Sequence, residues 1–340
     1  MSESLFKAYT SEELSNDQYH DPESWCAAYV SGSSLAKIYA TCPAAWRFES
    51  KSTDSKALVF GTQSHTNFES SELFKASYRR ATPPEEIKNV LTSQAAVAAK
   101  LKSFGIIGTS GKQWPELLKM YADCGEELNI LYLIGLIEQS QAVADGVELI
   151  EAKDYDACVA MRGVLENDPK HNACMNSPTA QRELSLFGEI EGVKVKVRLD
   201  HVDVVNMIID GIPTEVVVIT DYKTTQSANP NEFDRLAFNH GYYLKMALQR
   251  DLFVRVYAET RPVIVRLLAQ EKKEPYLPMA YRLDDQQLAV GRIQYMSVIH
   301  QYRVCEEHDI WPAYAGGESE ITLNTPEWVK RQFPQVYQNI

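Results

Sequence analysis

The sequence lacks an apolar run that is long enough to cross a bilayer. Its longest apolar stretch extends from Ile130 to Ile137, whereas a transmembrane helix needs about 20 such residues. The first residues, MSESLFKAYTSEELSN, are polar and acidic, which is not typical of a secretory signal peptide. We therefore expect a cytoplasmic protein without a membrane partner.

Closely spaced cysteines are also missing, because none of the six cysteines belongs to a CxxC pair. Structural zinc sites and iron–sulphur clusters use such pairs, so neither kind of site is expected. We interpret the cysteines as reduced thiols in or near the core.

Positive charge is scarce. Lys and Arg total 34 against 46 Asp and Glu, which gives a formal net charge of −12. Proteins that coat nucleic acid without sequence preference usually carry a basic surface, because neutralised phosphates release counterions. The balance therefore argues against a non-specific DNA coater. An enzyme that concentrates its cations in one groove is still compatible with it.

No internal repeat, low-complexity tract or obvious linker divides the 340 residues. We therefore predict one α/β domain over residues 1–340. Within it, residues 1–178 are predicted to be mainly helical, residues 179–315 to form a catalytic sheet with flanking helices, and residues 316–340 to form a tail.

Hydrophobic periodicity places the elements. Helices are predicted over residues 33–48 with an interruption at Pro43, 60–73, 85–102, 114–142, 154–165, 233–252 and 284–307. Strands are predicted over residues 183–187, 193–205, 215–222 and 263–270, with a hairpin loop over 206–214 that contains Gly and Pro.

Two of these strands carry acidic residues that attract attention. Asp221 and Lys223 follow the apolar run Val216 to Ile219, and residues two apart on a strand project from the same face. Asp200 lies in the preceding strand. If the two strands pair as a hairpin, its carboxylate can lie beside that of Asp221.

Two neighbouring carboxylates repel each other unless a cation neutralises them. Mg²⁺ prefers oxygen ligands of this kind, and phosphodiester hydrolysis uses such an ion to polarise the phosphate and activate water. A nearby ammonium can stabilise the transition state. The same pattern is also compatible with an incidental surface pair of Asp221 and Lys223, and these residues by themselves leave both interpretations open.

Motifs in a fixed order resemble the phage-type exonucleases of the PD-(D/E)xK superfamily, in particular the nuclease domain of RecE (exonuclease VIII), which is functionally similar to lambda exonuclease. The similarity runs from about residue 19 to residue 314 and departs from the family pattern at Lys245 and Gln249. The motifs include Val30-Ser31-Gly32-Ser33-Ser34-Leu35, Phe60-Gly61-Thr62-Gln63-Ser64-His65, Lys196-Val197-Arg198-Leu199-Asp200, Asp221-Tyr222-Lys223-Thr224-Thr225 and Gln270-Glu271-Lys272-Lys273.

The resemblance implies a mixed central sheet flanked by helices, and it implies roles by position. His65, Asp200, Asp221 and the carbonyl of Tyr222 would hold Mg²⁺, for which Mn²⁺ is expected to substitute. Lys223 would be the catalytic lysine.

Two further acidic residues have alternatives that stay open. Glu183 would join the catalytic carboxylates or only close a strand end. Glu69, one turn beyond His65, would orient the imidazole or form an exposed pair with it.

Candidates for substrate contact complete the set. Ser31, Ser33 and Arg198 would hold a terminal 5′-phosphate, since a guanidinium fork suits that group; a structural salt bridge is the alternative for Arg198. Lys245 is expected to contact DNA or the catalytic lysine.

The activity implied by the resemblance is degradation of linear double-stranded DNA from 5′ ends. The 3′ single strands left behind would serve recombination through a single-strand annealing protein. Relatives form rings, so a homo-oligomer, a trimer or a tetramer, is expected. A structure-specific or Cas4-like endonuclease and a non-catalytic DNA-binding module on the same fold are the alternatives.

Overall fold

The computed structural model describes residues 5–49 and 55–337. Both ends of the predicted domain, residues 1–4 and 338–340, lie outside this part. The described chain is mixed α/β, with a seven-stranded sheet flanked by helices and a separate two-stranded sheet. The predicted fold class is confirmed.

The strands are numbered in chain order. They are β1 Lys7–Tyr9, β2 Val30–Ser31, β3 Tyr78–Arg80, β4 Glu148–Ile150, β5 Gln181–Ile190, β6 Val193–Ile209, β7 Ile212–Thr225, β8 Val263–Glu271 and β9 Pro278–Arg282.

The α-helices are numbered in the same way. They are α1 Asn16–His20, α2 Gly32–Ala40, α3 Pro43–Phe48, α4 Lys56–Glu69, α5 Ser71–Ser77, α6 Gln94–Ser103, α7 Trp114–Ala122, α8 Leu131–Ala144, α9 Ala152–Asn167, α10 Pro169–Met175, α11 Pro230–Asn239, α12 Tyr242–Tyr257, α13 Asp285–His308, α14 Glu327–Gln332 and α15 Pro334–Tyr337. Short 3₁₀ helices span Trp25–Ala28, Pro84–Glu86 and Tyr314–Gly317.

The main sheet is mixed, with strand order β1-β5-β6-β7-β8-β9 and β2 paired to β6. Strands β5, β6 and β7 form an antiparallel meander, whereas β7 and β8 run parallel. The chain reaches β8 through α11 and α12, since parallel neighbours need a crossover connection. This order puts β7 near the middle of the sheet.

The β6–β7 hairpin is longer than the sequence predicts. The predicted loop over residues 206–214 is wrong, because the two strands continue to a turn made by Asp210 and Gly211. Both turn residues have positive φ, 51° and 80°, as a two-residue Asp-Gly hairpin turn requires. The β-branched residues on either side of this turn support the extended strands.

Apolar side chains cover both faces of the sheet. On one face, helices α2, α12 and α13 pack over a large core that includes Leu35, Val197, Leu248 and Val265. On the other face, a smaller cluster brings α4, α9 and α10 onto β7 and β8. The central strands therefore read as nearly continuous apolar runs.

Three predicted helices are divided in the structure. The chain leaves the helix after Ala122 and turns through Gly125, so residues 114–142 form α7 and α8. Gly241, with φ of 67°, separates α11 from α12. Predicted helix 60–73 breaks at Ser70, which caps α5. Each break lies at a capping or left-handed residue, where helical backbone geometry ends.

The six cysteines are free thiols, four of them buried, as expected. Among the described residues, every helix falls short of the length or the apolar character that a bilayer-spanning segment needs.

Candidate active site

The site forms at the strand junction, the place where the backbone pairing of β6 and β7 ends. Their backbone pairing ends at His201 and Thr220, and Asp200 comes next on β6. There the Tyr222 N–H donates to Oδ2 of Asp200 at 2.8 Å. A side-chain carboxylate thus takes the place of the next backbone acceptor, which fixes its orientation.

Lys223 joins the two acidic residues of these strands. Its Nζ lies 2.8 Å from Oδ2 of Asp221 and 3.6 Å from Oδ2 of Asp200. It also donates to the Tyr222 carbonyl at 3.1 Å. The predicted convergence of two carboxylates and one ammonium is therefore present in the structure.

A helix brings the imidazole to the same place. His65 lies on α4, with Nε2 3.1 Å from Oδ2 of Asp200 and Nδ1 3.6 Å from Oε1 of Glu183. Ser55 caps the start of helix α4, and its hydroxyl accepts the Leu58 N–H. Its first residues after the cap are thus held in helical geometry.

The pKa values of the three charged groups at the strand junction shift in different directions. Burial favours the neutral form of Asp200, but Lys223, His65 and the Tyr222 N–H outweigh it and hold the pKa of that carboxyl well below its usual range. Burial raises the pKa of Asp221, and the Asp200 charge adds to this effect. Burial would lower the pKa of Lys223, but the two carboxylates raise it above its usual value. Lys223 is therefore a fixed cation.

The pKa values of His65 and Glu183 are both raised. Burial would lower the pKa of His65, but Asp200 and Glu183 raise it to about 9. Burial raises the pKa of Glu183 to about 7, against the attraction of His65 and Arg198. Glu183 therefore exchanges its proton near neutral pH, whereas His65 stays mostly protonated there.

These residues fit a divalent cation. Ligand atoms of His65, Glu69 and Glu183 lie within 4.8 Å of one another, and buried Oε1 of Glu183 has no hydrogen-bond partner within the described part of the chain. Carboxylate and carbonyl oxygens suit Mg²⁺ or Mn²⁺, and imidazole is a common ligand of divalent metals. This cluster includes Glu69 and Glu183 in place of Asp200 and Asp221, whose carboxylates are held by Lys223.

Glu183 has an unusual backbone as well as a central position. Its φ is 51° although it lies within β5, a conformation that non-glycine residues in strands rarely adopt. Oε2 accepts from Arg198 Nε at 2.7 Å. Arg198 also donates to the Leu14 and Ser15 carbonyls, each at 3.3 Å. Arg198 thus forms the structural salt bridge that the sequence left open, and its role in phosphate binding stays a prediction.

The other predicted substrate contacts lie around this centre. Ser31 caps α2 by accepting the Ser34 N–H at 3.0 Å, next to Lys196 of β6, and Ser33 is exposed. Lys245 lies on α12, its Nζ 5.2 Å from the centre of the Tyr242 ring. Burial lowers the pKa of Lys245, which Asp221 partly offsets. The structure does not give these residues a contact with the carboxylates.

Two glutamines complete the surroundings of the site. Gln249 Nε2 lies 3.4 Å from Oδ1 of Asp221, so it contacts the carboxylate and not the lysine. Gln270 is fully buried and accepts the Tyr222 hydroxyl at 2.8 Å. Sequence reasoning missed the role of Gln270, although a polar residue directly after the apolar residues Leu267 to Ala269 was a usable signal.

Comparison with protein families identifies one matching family. The model described as "PDDEXK-like domain of unknown function" matches residues 31–323. The match covers most of the chain and includes the strand junction, helix α4 with His65, and the glutamines Gln249 and Gln270. No curated protein matches the sequence.

A solved structure shows the same fold. A "Putative exonuclease" from Eubacterium rectale superimposes with a TM-score of 0.52 at 14% identity, covering 94% of this chain and 97% of its own. SSO0001 is 11% identical over 69% of this chain and 84% of its own, with a TM-score of 0.20, which is too low for any argument.

Proposed function

This chain belongs to the PDDEXK-like domain family, and from that premise we propose that it is a divalent-metal-dependent nuclease. The observation that carries the proposal is the convergence of His65, Asp200, Asp221 and Lys223 where β6 and β7 part. Acidic metal ligands beside a fixed cation are the groups that metal-assisted phosphodiester hydrolysis uses.

The cation would be held by His65, Asp200, Asp221 and the Tyr222 carbonyl, with Glu183 and Glu69 as further oxygen donors. When bound, Mg²⁺ or Mn²⁺ supplies Lewis-acid polarisation of the phosphate and a water of lowered pKa. The Tyr222 carbonyl already lies beside Lys223, and the Tyr222 N–H holds Asp200 in place. These contacts support the proposed ligand set, in which a bound cation would share Asp200 and Asp221 with the Lys223 ammonium.

Lys223 would act as a cation and not as a base. Because both neighbouring carboxylates raise its pKa, its ammonium stays protonated and can stabilise negative charge that develops on the phosphate. Lys245 on helix α12 would contribute a second positive charge that contacts the DNA. Gln249 would hold Asp221 from behind.

We further propose the substrate and direction that the resemblance implies. The protein would degrade linear double-stranded DNA from 5′ ends, with Ser31, Ser33 and Arg198 near the terminal phosphate. It would act in the cytoplasm as a ring-shaped homo-oligomer beside a single-strand annealing protein. Support for this finer proposal comes from the ordered motifs.

The test uses linear duplex DNA labelled at either 5′ or 3′ ends, closed circular DNA, and Mg²⁺ or Mn²⁺. Wild-type protein is expected to release nucleotides from 5′-phosphorylated strands of linear DNA and to leave closed circles intact. The variant Lys223→Ala is expected to lose at least about 100-fold in rate, as removal of one electrostatic group from a transition state does. Lys330→Ala, far along the chain in an exposed pair with Glu327, is the matched control.

Each result has a defined meaning. Cleavage of closed circles would favour the endonuclease alternative. DNA binding without any hydrolysis in either metal would favour the non-catalytic module. Full activity of Lys223→Ala would overturn the proposed mechanism.

A further inference from the structure

Both polar atoms of the Gln270 side-chain amide form hydrogen bonds beneath the site. The residue is completely buried on β8. Its Oε1 accepts the Tyr222 hydroxyl at 2.8 Å, and its Nε2 donates to the carbonyls of Met161 at 2.9 Å and Tyr276 at 3.0 Å. One amide therefore ties β7, helix α9 and the β8–β9 connection together.

Helix α9 in turn holds the helix that carries His65. Asn67 Nδ2 donates to the Cys158 carbonyl at 2.8 Å, and Arg162 of α9 donates to the carbonyls of Asn67 and Phe68. These contacts bind the end of α4 to α9. The position of His65 relative to the sheet is thus set through α9.

A direct contact also connects helix α4 to strand β7. The rings of Phe68 and Tyr222 are stacked, with centroids 4.5 Å apart and planes 3° from parallel. Phe68 lies three residues after His65, and Tyr222 lies between Asp221 and Lys223. The ring of Tyr222 therefore locates α4, and the hydroxyl of the same ring is held by Gln270.

Any buried glutamine must satisfy its polar atoms, and a purely structural role would do so without reference to the site. Gln270 differs because its partners lie on the strand that supplies Asp221 and on the helix that supports α4. We propose that Gln270 is a positioning residue that sets the spacing between His65 and the strand-borne metal ligands. This inference rests on the metal site of the proposed function.

The test measures Mn²⁺ binding by titration calorimetry in the absence of DNA. For Gln270→Leu we expect the Kd for Mn²⁺ to rise about 10-fold to 100-fold, the usual effect of removing a group that orients metal ligands. Gln294→Leu is the control, because Gln294 is equally buried on α13 and its Oε1 has no partner among the described residues. Its Kd should stay within about twofold of wild type.

A milder variant covers the case in which Gln270→Leu does not fold. Tyr222→Phe removes only the hydroxyl and keeps the ring stack with Phe68. Loss of this one hydrogen bond is expected to raise the Kd about 3-fold to 10-fold, with cooperative thermal unfolding retained. Wild-type affinity in Tyr222→Phe would then overturn the proposal.

The remaining outcomes separate the two proposals. Wild-type affinity in folded Gln270→Leu, or an equal loss in Gln294→Leu, would overturn the role of Gln270 and leave the metal site standing. Absence of Mn²⁺ binding by the wild-type protein would overturn both.

Discussion

The imidazole of His65 lies between two carboxylates, and this position would control the pH at which it binds the proposed metal. Asp200 and Glu183 raise its pKa to about 9 against the effect of burial, and burial raises that of Glu183 to about 7. A metal ligand must be unprotonated, so an incoming cation displaces these protons. Affinity must therefore increase with pH.

We expect the Mn²⁺ affinity to rise from pH 6 to pH 9. The rise should be about tenfold per pH unit for each proton displaced. It should be steepest below pH 7, where Glu183 and His65 both release protons. Calorimetry in buffers of different ionisation enthalpy measures the proton release directly.

Two histidine variants complete this experiment. His65→Ala should bind Mn²⁺ more weakly and with a flatter profile between pH 7 and pH 9. His300→Ala changes an exposed histidine on α13 and should follow the wild-type curve. A profile for the wild type that does not depend on pH would contradict the assignment of His65 as a ligand.

At the scale of elements, Arg198 fastens the N-terminal segment to the sheet. Its guanidinium connects the Leu14 and Ser15 carbonyls to Glu183, and the exposed fractions of the Arg198 and Glu183 side chains are only 9% and 13%. Removing one partner of a buried pair leaves the other charge unpaired. Arg198 is thus one of the polar links between the N-terminal segment and the sheet.

We expect Arg198→Leu to lower the free energy of unfolding by about 3 kcal/mol. Arg79→Leu is the matched control, because the side chains of Arg79 and Asp145 are 39% and 57% exposed and such pairs contribute less than about 1 kcal/mol. Urea unfolding followed by circular dichroism gives both values. Equal losses in the two variants would show that Arg198 is not a buried link.

The sequence predicts the long strands well because each buries alternating or continuous apolar residues. Strands β5 to β8 coincide with predicted strands, although β5, β6 and β7 extend further. The short strands β1, β2, β3, β4 and β9 were missed, since two to five residues carry no measurable period. Helix breaks at Gly125 and Gly241 were missed because apolar spacing continues across them.

The site divides in the same way. Asp200, Asp221 and Lys223 could be predicted from local spacing, because the partner strands follow each other directly in the chain. His65 could be associated with them only by resemblance, since α4 is far away in sequence. The Glu183–Arg198 pair and the role of Gln270 depend on which strands become neighbours, and that information lies in the tertiary structure.

At the scale of the whole molecule, two helices pack with unusual closeness behind the site. A Cβ placed on Gly291 of α13 would lie 2.0 Å from the Tyr243 carbonyl oxygen of α12. Helix α12 carries Lys245 and Gln249, so the layer behind the active site depends on this contact. Backbone atoms cannot yield to an added methyl group as a flexible side chain can.

We expect Gly291→Ala to destabilise the protein by at least about 2 kcal/mol, because α12 and α13 must move apart. Gly163→Ala in α9 should instead stabilise it by about 0.5–1 kcal/mol, since no described atom outside the adjacent turns of its own helix lies within 4 Å of the added Cβ. Thermal unfolding of the two variants gives the comparison. A stabilised Gly291→Ala protein would contradict the close packing of these helices.

The bond from Tyr222 N–H to Asp200 Oδ2 has a practical consequence. An asparagine has nearly the shape of an aspartate and keeps one oxygen that can accept the same N–H. Asp200→Asn should therefore preserve the backbone of the whole strand junction while it removes a negative charge that the proposed hydrolysis would require. Such a variant would bind DNA without cleaving it, and could be used to isolate and image the intact complex.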